Sequence, residues 1–348
     1  MGDRTLISWA IATWNPVRGC SRVSAGCQHC YAERQAIRQA GPGQAYEGLV
    51  RSSASGPRWT GELAVNWDGI DQPLRWRRPR RIFVNSMSDL FHEKLSDKAI
   101  DRVFAVMLAA DWHDFLVLTK RPERARAYLT TADRSERIQA VVDAELRANR
   151  RLGGGPDRRA TMIAGRRLPL PNVWIGASVE DQRSADERVP ILLDTPAAVR
   201  WLSVEPLLGP VELQDEDTSY LRGIALDLVA DPIGTPGLDW IVVGGESGPG
   251  ARPCRVSWIR DLVRQCDAAD VPVFVKQLGA VPFEDQDASE WPAAWPEHVE
   301  CRLAEPAPAH EAYGLRSRKG EDPSEWPSDL RRRELPAASR VSTKEPSP

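Results

Sequence analysis

Seven short runs of apolar and β-branched residues, each followed by small or polar residues and then by a stretch that can be helical, constrain this chain more than any other feature. They are residues 6–14 (LISWAIATW), 81–86 (RIFVNS), 114–119 (DFLVLT), 172–178 (NVWIGAS), 199–204 (VRWLSV), 239–244 (DWIVVG) and 271–277 (VPVFVKQ). Several are apolar at nearly every position, as strands covered on both faces must be. Between them, Ile100, Val103, Phe104 and Met107 fall at helical spacing behind a Ser96 cap, and Ile259, Leu262, Val263 and Cys266 do the same later. Strands and helices in this order imply right-handed crossovers. The expected class is α/β: a partial parallel (β/α) barrel of about six or seven strands.

Two segments interrupt the pattern. Residues 41–80 are rich in Gly, Trp and Arg, and residues 120–171 hold an Arg-rich helix followed by GGGPDRR from Gly153 to Arg159. Both read as insertions in a barrel spanning residues 1–280. The remainder, 281–348, has ten prolines and little periodicity, so it reads as a loosely attached, partly disordered extension.

Composition narrows the setting. The chain has 348 residues, a formal charge of -3 and 27% charged residues, which argues against a wholesale nucleic-acid binder but allows a local basic patch. No apolar run approaches the roughly 18 residues of a membrane span, and no leader pattern opens the sequence, so a cytoplasmic protein is expected. Six cysteines are too few for a disulfide scaffold, and three of them crowd into eleven positions.

Those three are Cys20, Cys27 and Cys30, in WNPVRGCSRVSAGCQHCYAE from Trp14 to Glu33. The loop directly follows the first expected strand, at the barrel end where such folds place their chemistry. Gly19 and Gly26 each precede a cysteine and permit tight turns there. Three thiolates can bind three irons of a cubane and leave the fourth without a protein ligand. A structural zinc ion is the alternative, with His29 or Cys254 as fourth donor. Cys266 lies on an apolar helix face, where packing explains it.

Polar residues gather at the later strand ends as well: Asn85, Ser86, Ser88 and Asp89; Thr119, Lys120 and Arg121; Ser178 and Glu180; Ser203 and Glu205; Gly244, Gly245 and Glu246. Helix capping explains Ser88 or Asp89 equally well, and tight turns use the same residues as GGES. Three carboxylates at corresponding positions, 180, 205 and 246, are harder to explain as loop charges. Lys276 shares a side of its strand with Phe274. Five arginines among residues 75–81, interleaved with Trp76, suit either a solvated segment or phosphate contact with base stacking.

The cysteine stretch resembles the signature of the radical-SAM-like three-Cys-motif proteins of phages and bacteria. The similarity continues through VNSMSDLFHE (Val84–Glu93), VLTKRPER (Val117–Arg124), VWIGASVEDQ (Val173–Gln182), LSVEPLLGP (Leu202–Pro210), IVVGGESGPGARP (Ile241–Pro253) and FVKQLG (Phe274–Gly279). In one respect the chain departs from the commonest radical-SAM spacing: six residues, not three, separate Cys20 from Cys27. The resemblance implies a [4Fe-4S] cluster on the three cysteines, reductive cleavage of S-adenosylmethionine, and an electron donor of flavodoxin or ferredoxin type. It further implies that Asn85, Ser86, Ser88 and Asp89 meet the methionine end, Ser178 and Glu180 the ribose, and Gly244, Gly245 and Glu246 the adenine or sulfonium. Lys120 would meet a carboxylate or phosphate, and Ser203 and Glu205 would complete the set. Tyr31 would cover the cluster. The arginines leave nucleic acid or a nucleotide as the candidate substrate.

Overall fold

A computed structural model of the chain describes residues 5–148, 165, 167–214, 219–221, 237–285, 300–303 and 310–339. The glycine-rich stretch 153–159 lies outside the described residues.

All seven expected strands form, in one parallel sheet: β1 (Ala12–Trp14), β2 (Arg81–Val84), β3 (Asp114–Thr119), β4 (Val173–Val179), β5 (Val199–Val204), β6 (Trp240–Gly244) and β7 (Val273–Gln277). They pair in sequence order, and β1 does not pair with β7, so the sheet is a half-barrel. The longer described helices are α1 (Tyr31–Ala36), α2 (Asp97–Ala109), α3 (Pro122–Leu129), α4 (Arg134–Ala148), α5 (Gln182–Leu193) and α6 (Val256–Ala268), beside one short turn of helix at Gln72–Arg75. Ser96 caps α2 by accepting from the Ala99 amide, and Asp181 with Ser184 closes a capping box on α5. No described helix is long and apolar enough to cross a membrane.

Strand alternation divides the core in two. Ile82, Val84, Phe115, Val117, Ile175, Leu202, Val204, Ile241, Val243, Val273 and Val275 pack with the helices. Their neighbours Phe83, Leu116, Trp174, Trp201, Trp240, Val242 and Phe274 face the other way and join Trp9 in a cluster without helical residues, on the concave side. Trp9, Trp174, Trp201 and Trp240 meet there at ring separations of 5.3–6.3 Å, mostly edge to face. Gly176, opposite Trp201, makes room for its indole: a Cβ at 176 would lie 2.5 Å from that ring. The parity of the strands therefore fills the lower lumen with tryptophan and leaves Ser178, Ser203, Glu205 and Lys276 for its upper end.

The 41–80 segment folds beside the cysteine loop. Val17–Arg18 pairs with Ala64–Val65, Val50–Arg51 pairs with Arg58–Trp59, and a small core of Tyr46, Leu49, Val50, Trp59, Ala32, Ala36 and Met87 carries Cys20 and Cys30 against it. In the C-terminal extension, residues 315–339 pack on β7. The Val275 amide donates to Arg332 O, the Leu278 amide to Gly320 O, and Trp326 and Leu330 are fully buried. Apolar anchors outweigh the proline content there.

Candidate metal centre

β1 ends at Trp14, and the chain enters the three-cysteine loop across the top of the half-barrel. The entry is fixed by β2. Asn85 adopts a left-handed φ of 60° at the strand end, which asparagine tolerates better than most side chains. Its Oδ1 accepts from the Val17 amide at 3.2 Å. Ser86 Oγ donates to Asn15 Oδ1 at 3.2 Å and Ser88 Oγ to Val17 O at 2.9 Å.

Each later strand end adds an anchor. Beyond β3, Arg121 reaches Ser21 with Nη2, 2.7 Å from its Oγ, while Nη1 lies 3.1 Å from Asp89 Oδ2. Asp89 also accepts from Thr119 Oγ1 at 2.8 Å and the Lys120 amide at 3.0 Å. Beyond β4, Glu180 accepts from Ser24 Oγ at 2.8 Å, and its charge is met by Lys120 and Arg188. Beyond β6, Glu246 accepts from His29 Nδ1 at 3.0 Å and from Arg252 through the backbone amide, Nε and Nη2. Arg22 pairs with the buried Glu33 of α1, which also accepts from the Trp59 amide at 3.0 Å.

The strand-end residues selected from the sequence thus come together at one end of the sheet, and most of them grip the cysteine segment. Asn85, Ser86, Ser88, Glu180 and Glu246 bond to it directly; Asp89 and Lys120 act through Arg121 and Glu180. Ser178, Ser203 and Glu205 do not. Ser203 Oγ donates to Glu205 Oε2 at 3.2 Å, and Glu205 Oε1 stands 2.9 Å from Lys276 Nζ on β7. A Cβ at Gly244 would come 3.0 Å from that same oxygen, so the glycine keeps space open beside Glu205. Gly245 is a packing requirement, since a Cβ there would overlap the backbone of Leu278. Lys276 carries the weakest signal in the sequence, legible only as a lysine sharing a strand face with Phe274. Arg22, Arg188 and Arg252 carry no signal in the sequence, because an arginine near a loop or on a helix has no distinctive spacing.

The three thiols are free and partly covered. Burial pushes the Cys20 thiol up to about 12, with the charges of Asp89, Cys30 and Cys27 adding and Arg121 opposing. Burial also raises Cys30, against hydrogen bonds from the Glu33 and Ala32 amides. Each cysteine therefore lies within electrostatic reach of the others. Among the described residues, no three His, Cys, Asp or Glu side chains are gathered as the donors of a metal ion would be. Of the two alternative fourth zinc donors, Cys254 is fully buried beneath Gly245, and His29 is held by Glu246 through Nδ1. Three unbridged thiols on one loop are a donor set that could hold three irons of a cubane and leave the fourth without a protein ligand.

The arginine run is largely committed. Trp76 is buried with Arg80 over its ring at 4.7 Å, Arg81 donates to Trp9 O, and Arg75 pairs with Asp71. Arg77 and Arg78 are exposed, but Trp76 offers no open face for stacking.

No functionally curated protein matches the sequence. Among solved structures, a mutant of spore photoproduct lyase aligns at 13% identity and a TM-score of 0.33, covering 90% of this chain and 71% of that one. The same lyase complexed with dinucleoside spore photoproduct aligns at 11% identity and 0.32, covering 86% and 67%. A mutant with bound AdoMet and dinucleoside spore photoproduct gives 11% and 0.33, covering 86% and 68%. Scores this low carry no shared activity, and the half-barrel assignment rests on the strand order itself. The model of one family, described as "Protein of unknown function (DUF5131)", matches residues 4–321, and the chain belongs to that family.

Proposed function

We propose that this protein is a cytoplasmic enzyme of the radical-SAM-like three-Cys-motif type, holding a [4Fe-4S] cluster on Cys20, Cys27 and Cys30 and cleaving S-adenosylmethionine reductively. One observation carries the reading: three unbridged thiols share a loop at the C-terminal end of β1, and four separate strand ends hold that loop in place. Barrel enzymes place their chemistry at this end. When bound, the cluster would supply one electron to the sulfonium from an iron that has no protein ligand.

This chain's own residues would position and enclose the reactants. The Asn85 Nδ2 group is buried without a partner among the described residues, and a donor left over at the end of β2 suits a carboxylate. Ser178, Ser203, Glu205 and Lys276 line the upper lumen, where hydroxyls and a paired charge can hold ribose or substrate. The tryptophans below exclude water from the lower lumen. Raised thiols must lose their protons to bind iron, so loading is favoured as pH rises.

The direct test is anaerobic reconstitution with iron and sulfide, then reduction with dithionite in the presence of S-adenosylmethionine. Formation of 5′-deoxyadenosine, lost in Cys27→Ala, supports the reading; a reconstituted cluster that never yields it refutes the cleavage. For the substrate we infer a nucleic acid or nucleotide, on the exposed Arg77 and Arg78. Filter binding whose affinity is indifferent to salt removes that part.

A further inference from the structure

We propose that Glu180 is a positioning residue for the cysteine loop: its carboxylate is the seat on which Gly26 rests, and it sets the placement of Cys27. The contact is steric as well as polar. A Cβ on residue 26 would lie 2.6 Å from Glu180 Cγ and 2.8 Å from Cδ, and closer still to Oε1. Side chains usually yield to such an intrusion. This one is fixed at every level. Its amide donates to Ser184 Oγ at 2.8 Å, and its carbonyl accepts from the Leu208 amide at 2.8 Å. Lys120 holds Oε1, and Arg188 Nη1 stands 3.1 Å from Oε2 while also donating to Ser178 O at 2.6 Å. Glu180 is 1% exposed, so no solvent space receives it.

The seat connects to the thiol through one residue. Ser24 donates to Glu180 and accepts, through its carbonyl, from the Cys27 amide at 3.0 Å; Ser24 Oγ lies 3.9 Å from Cys27 Sγ. Ser24 and Lys120 meet Oε1 and Arg188 meets Oε2, so Glu180 serves the loop. Its use in catalysis rests on the proposed cluster; the seat itself is a property of the metal-free chain.

The test uses the full, reduced, metal-free chain and reads the rate at which Cys27 is alkylated by N-ethylmaleimide, resolved by peptide mass spectrometry. Gly26→Ala should raise that rate about tenfold or more, because the loop can no longer sit down. Glu180→Asp keeps the charge for Lys120 and Arg188 but is one methylene shorter. Gly26→Ala/Glu180→Asp should therefore return the rate to within about threefold of wild type. If Gly26→Ala does not fold, recovery of soluble protein by the added Glu180→Asp carries the same meaning. A wild-type rate in Gly26→Ala, or no rescue by Glu180→Asp, overturns the assignment. No metal takes part, so a chain that never binds iron would refute the proposed function and leave this inference standing.

Discussion

His29 donates from Nδ1 to Glu246 Oε2 at 3.0 Å, which binds a residue between the second and third cysteines to the end of β6, 217 positions away. The carboxylate fixes the imidazole ring, and Arg252 fixes the carboxylate. The loop is thereby closed against the last third of the sheet.

Burial alone would raise Glu246, but hydrogen bonds from Arg252 and His29 outweigh it and hold the carboxyl down to about 2, from an ordinary 4.5. Below 4.5 the unfolded chain takes up a proton that the folded chain refuses. Stability from this group is therefore present above 4.5 and is lost as pH falls toward about 2. In acid titrations followed by near-UV circular dichroism, Glu246→Gln should lack this part of the transition; an unchanged acid limb would contradict the anchor.

Arg121 and Asp89 are both buried and pair at 3.1 Å, and the same guanidinium holds Ser21 beside Cys20. Removing one member strands the other's charge, so Arg121→Ala should cost about 3 kcal/mol or more. Urea unfolding measures that loss, and Asp89→Asn/Arg121→Met should recover part of it. A double-variant loss equal to the sum of the Asp89→Asn and Arg121→Met losses would refute the coupling.

His113 provides a check far from the loop. It is fully buried, with Nε2 bonded to Pro73 O at 3.0 Å and Nδ1 accepting from the Arg80 amide at 3.1 Å. Burial, with the nearby charge of Arg80, holds it down to about 4 from 6.5. The unfolded chain binds a proton below 6.5 that the folded chain does not, so stability should fall between 6.5 and about 4. The loss is on the order of 2 kcal/mol after allowing for screening. Urea midpoints at about pH 7 and about pH 5 should separate more in wild type than in His113→Gln; equal separation would contradict this origin.

The strands were legible because a strand covered on both faces must be apolar at successive positions, as in 173–179 and 240–243. Ser96 announced its helix for an equally local reason. The anchors were half legible. Glu180 and Glu246 stood out as carboxylates ending apolar runs, yet their partners lie 156 and 217 residues away, and nothing local tells a cofactor ligand from a loop anchor. Trp326 shows the converse: proline-rich surroundings concealed an anchor that buries its whole ring against the sheet.

The central claim is that Cys20, Cys27 and Cys30 each bind a different iron of one cluster. Anaerobic reconstitution followed by iron, sulfide and zinc analysis tests it most directly. The account predicts about four irons and four sulfides per chain, falling sharply in Cys20→Ala, Cys27→Ala and Cys30→Ala. One tightly held zinc per chain with no sulfide, or iron that persists without these thiols, would contradict it.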